Sequence, residues 1–336
     1  MELVALLDAG WSAVALESLQ AAHQVVVEHR DDSCLALSSA SDIPSHDLLW
    51  AKSVFTVLAR TDRDSVDRAV SRLAGQVPKR LDLGREPGKG FRVVVHIDGA
   101  LRSVDSGARS RLESSVARAS GAPVARRGGG AEVWVLARRG SPTVWLLNRL
   151  SQQVRRSPRG SLSAELASLL CLASHPDPSD VFLDPFAGTG SIPSARRSWP
   201  ARAIYAGDQA QIAWPADPPE GVTSFTQRVQ DLPGVVPPGV SVVVSDPPWN
   251  EFAPVDDFDG LLSETCEALA RVADPKVGLR TVLLMNRRNA ERLRARLDRV
   301  GFAELAEDPV LVNGHPASVV TGRLRAASWT PHTGPA

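Results

Sequence analysis

Val181-Phe182-Leu183-Asp184-Pro185-Phe186-Ala187-Gly188-Thr189-Gly190-Ser191 runs from a short apolar strand through an acid into a glycine loop. Gly188 and Gly190 carry no side chain, so the backbone there can approach a ligand closely. The pattern suits a nucleotide-type site at the carboxyl end of a strand, and it also suits a plain structural corner. A second stretch, Val242-Val243-Val244-Ser245-Asp246-Pro247-Pro248-Trp249-Asn250, has the same form, an apolar strand ending in an acid, two prolines and an indole. Alone, it reads equally as a rigid Pro-Pro loop with a tryptophan packed beneath it.

The two acids stand 62 positions apart, room for about two crossover units of roughly 30 residues each. Residues 203–206 and 222–225 supply two intervening strands. In an open parallel sheet whose order reverses at its first strand, the first and fourth strand ends meet across the switch-point crevice. The spacing therefore predicts that Asp184 and Asp246 line one pocket.

Asp184-Pro185-Phe186-Ala187-Gly188-Thr189-Gly190 followed by Asp246-Pro247-Pro248-Trp249 resembles the S-adenosylmethionine-dependent methyltransferases that modify exocyclic amines of bases. Within these, the chain most resembles the RNA guanine-N2 methyltransferases that carry an amino-terminal THUMP domain. The resemblance implies an α/β fold. It consists of a Rossmann-like class I methyltransferase domain with a mostly parallel seven-stranded sheet and an antiparallel last strand, preceded by an α+β, ferredoxin-like and THUMP-like region. It implies S-adenosyl-L-methionine as cofactor, held by Asp184, Pro185, Phe186, Gly188, Thr189 and Gly190 in the first loop. Asp208 and Gln209 follow the second strand, where an acid can accept hydrogen bonds from ribose hydroxyls. Asp231 and Leu232 follow the third, beside the purine edge. Asp208 also reads as an ordinary turn former and Asp231 as part of a capped loop. The family often has a glutamate where this chain reads Ile192-Pro193-Ser194-Ala195, and tyrosine is frequent at the position of Trp249. Its Arg-Pro-like approach to the helix before the first motif is reversed here, as Pro158-Arg159.

Methyl transfer to an amine needs the nitrogen held in line, with its lone pair freed from the ring. The resemblance implies Asp246, Pro247, Pro248 and Trp249 as the catalytic set, in the following roles. The Asp246 carboxylate and the Pro247 carbonyl accept the two amine protons, Pro248 stiffens the loop, and Trp249 stacks on a base extruded from its helix.

The chain has 336 residues, 43% hydrophobic and 23% charged, which suits a globular protein of two or three domains with sizeable cores. No apolar run approaches the roughly 18 residues of a membrane span, and the first residues lack a basic leader, so an intracellular, cytoplasmic protein is expected. Cys34, Cys171 and Cys266 are too scattered for a disulfide framework or thiolate metal site, and the histidines lack ligand spacing; no metal is expected. Net charge is zero, yet residues 79–159 hold 17 Lys and Arg against 6 Asp and Glu, leaving 21 against 32 elsewhere. Such an asymmetry suits a polyanionic partner, or simply an arginine-rich solvated surface.

The chain divides into an amino-terminal ferredoxin-like region (1–50), a THUMP-like region (51–150), a polar linker (151–160) and the methyltransferase domain (161–330). Strands are expected at 2–7, 24–28, 34–37, 91–97, 132–137 and 143–147, with helical spacing at 14–22, 64–74 and 106–120; residues 48–58 suit either state. By the resemblance the THUMP-like region holds structured RNA, often the acceptor end of transfer RNA. Arg102, Arg109, Arg111, Arg118, Arg126, Arg127, Arg138 and Arg139 are its candidate phosphate contacts. In the carboxyl-terminal part, a helix at 161–173 opens after a capping serine, and helices at 256–272 and 289–300 flank a strand at 279–285. Asn313-Gly314 then turns a closing hairpin.

The leading function is transfer of a methyl group to guanosine N2, in transfer RNA. Two rivals remain: methylation of adenine N6 in RNA or DNA, and an RNA-binding module whose methyltransferase-like shell does not react.

Overall fold

The computed structural model describes residues 1–84, 89–125, 130–150, 161–214, 217–251 and 255–326. The expected linker, Pro158-Arg159, Arg126 and Arg127 lie outside these residues. The chain packs into two compact units: Met1–Leu7, His23–Pro44 and Ala51–Val154 form one, and Asp8–Ala22, Ser45–Trp50 and Arg155–Ala336 the other.

The first unit is built on one eight-stranded sheet of β1 (Glu2–Leu6), β2 (Val25–Asp31), β3 (Cys34–Ser39), β4 (Ser53–Asp62), β5 (Phe91–Ile97), β6 (Ala100–Leu101), β7 (Ala131–Ala137) and β8 (Thr143–Arg149). Their order is β2-β3-β1-β4-β8-β7-β5-β6. Residues 48–58, open to either state in the sequence, are the end of a 3-10 turn followed by β4. Strand β5 alternates buried and partly exposed residues, as a half-covered strand should. Its inward Val93 and Val95 join Val133, Val135 and Leu146 in a core shared with Leu73 of α2 (Val66–Gln76) and Leu112 of α3 (Ser106–Ser120). Trp145 is buried in the sheet's second cluster, with the half-buried Trp134 packed against it.

The second unit holds β9 (Val181–Asp184), β10 (Ala203–Asp208), β11 (Val222–Thr226), β12 (Val242–Ser245), β13 (Leu279–Asn286), β14 (Phe302–Val312) and β15 (His315–Leu324). The order β11-β10-β9-β12-β13-β15-β14 reverses at β9, as expected from the spacing of the two acids. Strands β9 and β12 are buried along their whole length, which is why they read as unbroken apolar runs. The last strand, β15, is antiparallel and inserts between β13 and β14, so β14 forms the edge. Asn313 (φ 51°) and Gly314 (φ 85°) close that hairpin in the left-handed region a two-residue turn needs.

The helices are α4 (Ala164–Ala173), α5 (Ser191–Arg196), α6 (Phe258–Val272) and α7 (Arg287–Arg299), joined by α1 (Ser12–Ala22), which packs on α4. The cap of α4 is Ser163, whose hydroxyl accepts from the Leu166 N–H at 3.1 Å. The crossovers depart from the expected 30-residue units. Thirteen residues join β10 to β11, with no helix among those described, and the next connection carries only a 3-10 turn at Val229–Gly234. Pro215, Pro218, Pro219 and Gly221 explain the first case, since each proline disfavours helical backbone in the residue before it. No helix among the described residues is long and apolar enough to cross a membrane.

Candidate active site at the carboxyl edge of the second sheet

The site begins where β9 and β12 end side by side. Asp184 is 1% exposed. Its Oδ1 accepts from the Ser245 hydroxyl at 2.5 Å and from the Phe186 N–H at 3.1 Å. Its Oδ2 is buried and has no hydrogen-bond partner among the described residues. An orphaned buried carboxylate oxygen is costly and marks a place where a donor is missing. Burial pushes the Asp184 carboxyl up to about 7, and the charges of Asp246 and Asp208 add to the rise against the two hydrogen bonds. Asp184, Asp208 and Asp246 therefore form one electrostatic cluster at three strand ends.

Gly188 (φ 54°) and Gly190 (φ 73°) both hold left-handed backbone, but their missing side chains serve different ends. A Cβ on Gly188 would meet nothing nearer than 4.0 Å, leaving the loop open above it. On Gly190 it would lie 2.0 Å from the Trp214 ring, so this glycine makes room for an indole rather than for a ligand. Trp214 sits there because the Ala213 N–H donates to the Gly188 carbonyl at 2.9 Å. The Asp208 carboxylate accepts from the Gly188 and Ala210 N–H groups, both at 3.0 Å, tying the second strand end to the glycine loop. Pro185 and Gly190 are buried, Phe186 and Thr189 half-buried, and Gln209 exposed. Thr189 shares a hydrogen bond with Ser191 at 3.1 Å. Asp231 is exposed on the 3-10 turn after β11, with Leu232 buried beneath it.

Asp246 is pushed up to about 7 by burial, opposed by the Trp249 indole N–H, which donates to its Oδ1 at 2.7 Å. Trp249 as a whole is only 8% exposed. The indole N–H is thus turned onto the acid in this structure. Pro247 is buried and Pro248 half-buried. Two asparagines absent from the sequence reading hold this loop. Asn286 and Asn289 donate from Nδ2 to the Trp249 carbonyl at 3.1 and 2.9 Å, and Asn286 also donates to Glu251 at 3.2 Å. Ser245 was likewise overlooked. Its place directly before the Asp-Pro-Pro run was the available signal, as was a strand-ending asparagine before a helix for Asn286.

In the first unit, Arg138 makes a bidentate ion pair with Asp31, 2.7 Å on each arm, with only 12% of its side chain exposed. That pair removes Arg138 from the open phosphate contacts. Arg109 is engaged with Glu113 and the Val93 carbonyl, and Arg111 with Ser71. Arg102, Arg118 and Arg139 are exposed. Among the described residues no group of His, Cys, Asp or Glu could hold a metal ion.

TrmN from Thermus thermophilus superposes on 96% of this chain and 99% of its own, with a TM-score of 0.72 at 23% identity. The fold is that of the class I methyltransferases. SMU.472, provisionally described as a methyltransferase and solved in complex with SAH, follows at TM-score 0.64 and 14% identity, over 95% of this chain and 97% of its own. A predicted N6-adenine-specific DNA methylase from Listeria monocytogenes matches at TM-score 0.62 and 15% identity, over 95% of both chains. No protein-family model and no curated protein sequence matches the chain.

Proposed function

We propose that this protein transfers a methyl group from S-adenosyl-L-methionine to the exocyclic N2 amine of a guanosine, in transfer RNA. The observation that carries the reading is the carboxylate cluster at the switch point of the sheet: the buried Asp184, with an oxygen unpartnered among the described residues, beside the half-buried Asp208 and Asp246. An orphaned carboxylate oxygen on Asp184, with two further acids beside it, suits a ligand bearing positive charge and N–H or O–H donors. S-adenosylmethionine has a sulfonium, an ammonium and ribose hydroxyls, so the residues fit it. Asp184 would take the cationic amino-acid end, Asp208 the ribose, and Asp231 with Leu232 the purine. Bound there, the cofactor supplies an electrophilic methyl group.

Asp246 performs the acceptor's part of the chemistry. The Trp249 N–H on its Oδ1 stands where a substrate amine N–H would donate, so the base takes over that hydrogen bond as the indole turns aside. The freed ring is then available to stack on the extruded base. The methyl carbon would pass to the nitrogen as its bond to the sulfonium sulfur breaks, leaving a neutral thioether; the nitrogen sheds a proton, and a carboxylate near 7 is matched to accept it at neutral pH. Guanine presents two donors, N1–H and N2–H, to one carboxylate, whereas adenine pairs one donor with an acceptor; an ionised Asp246 favours the first. The TrmN likeness and the basic stretch from 79 to 159 support transfer RNA as substrate.

The N6-adenine reading rests on the likeness to the Listeria protein. Nucleoside analysis of RNA from a deletion strain separates the two: loss of N2-methylguanosine supports the proposal, and loss of N6-methyladenosine supports its rival.

A further inference from the structure

Acidic and basic groups are separated along the carboxyl edge of the second sheet. Asp208 and Asp184 close β10 and β9, Asp246 follows β12, and beyond it β13 runs through Asn286 into Arg287 and Arg288, the first two residues of α7. Both arginines are exposed. The middle arginines of the helix are paired, Arg292 and Arg296 with Asp259 and Arg294 with Glu307. Among the described residues, Arg287 and Arg288 have no such partner, although Glu291 stands one turn along.

Their position is unfavourable for the helix itself. The first turn is the positive end of the helix dipole, where anions stabilise and cations destabilise. The first turn of α7 has no acidic residue to offset the two charges. The helix end is already served internally, since Asn286 caps it by accepting from the Asn289 N–H at 3.0 Å. The same Asn286 and Asn289 fix the Trp249 carbonyl, so the arginines stand on the frame that carries the acceptor loop. A polyanion approaching three carboxylates needs compensating cations nearby, and on the β13 side of Asp246 these two are in place.

We propose that Arg287 and Arg288 grip the phosphates flanking the methylated nucleotide, so that the second unit holds the RNA strand at the reacting base. The proposal rests on the methyl-transfer reading of the Asp246 site and adds an RNA contact surface to it. The test is the full-length Arg287→Ala/Arg288→Ala protein, with unfractionated transfer RNA as probe and equilibrium binding measured across a salt series. Two lost phosphate contacts reduce the slope of log affinity against log salt by about 1.4 to 1.8, and weaken binding roughly ten-fold near physiological salt. S-adenosylmethionine affinity by calorimetry stays unchanged, and the thermal midpoint stays level or rises as the dipole clash is relieved. Arg287→Lys/Arg288→Lys keeps the salt slope, and Arg299→Ala, at the other end of the helix, leaves it as in the parent.

Four results would each overturn the proposal. They are an unchanged slope in the double alanine variant, an equal loss from Arg299→Ala, a lowered thermal midpoint with weakened cofactor binding, and a parent protein that does not bind the RNA. Binding is read without turnover, so a parent that binds RNA but transfers no methyl group counts against the enzymatic reading alone.

Discussion

Asp184 and Asp246 set the pH behaviour. Both are pushed up to about 7, chiefly by burial. A carboxyl whose folded pKa lies above its unfolded value of 3.8 holds its proton longer when folded. Its contribution to stability is full below about 4 and is lost as pH rises through about 7. Thermal melts across that range should therefore show a fall that Asp184→Asn flattens, and S-adenosylmethionine should restore stability most at the high end. Turnover should rise through about pH 7 as Asp246 ionises. Asp246→Asn should lower kcat by roughly 10²- to 10⁴-fold, with cofactor affinity by calorimetry nearly unchanged. These acids were legible because each stands at a strand end before a loop of distinctive composition. The orphaned Oδ2 of Asp184 and the indole over Asp246 were not, since a hydrogen bond between side chains leaves no mark on residue order.

The loops work because other elements fasten them. Asn286→Ala removes the cap of α7 and a donor to the Trp249 carbonyl together, and should cost about 1 kcal/mol of stability with a larger fall in kcat than in cofactor affinity. At the opposite edge of the sheet, Asp180 joins Arg196, whose side chain is wholly buried, to Arg280. Asp180→Ala leaves the Arg196 guanidinium buried without its carboxylate. It should destabilise the protein by about 3–5 kcal/mol in denaturant titrations, since Arg196 also packs over the Phe182 ring. The sequence marked β9 and β12 well, because strands buried on both faces are apolar throughout. It marked the crossovers poorly: the strand spacing implied full helical units, and only the prolines at 215, 218 and 219 hinted that the described residues of the β10–β11 connection hold no helix. Gly190 shows the same limit, because a glycine made necessary by Trp214 looks identical to one opened for a ligand.

At the scale of the molecule, the amino-terminal residues divide their allegiance. A break at residue 50 follows from reading strands and helices in order, yet Asp8–Ala22 and Ser45–Trp50 pack with the carboxyl-terminal unit. Helix α4 is buried on nearly every side, from Leu166 through Leu172, and α1 packs against it. A fragment beginning at residue 161 should therefore expose apolar surface and aggregate in size-exclusion chromatography, where the full chain does not. The allegiance of α1 was hidden because an apolar helix face shows that it is covered, never by what. The central claim, that two loops distant in the chain jointly methylate an exposed amine, is tested most directly by incubating purified protein with methyl-labelled S-adenosylmethionine and fractionated transfer RNA, then identifying the labelled nucleoside. The account predicts label in N2-methylguanosine, lost in Asp246→Ala. Label that persists in that variant, or RNA that takes up none from the parent protein, would contradict it.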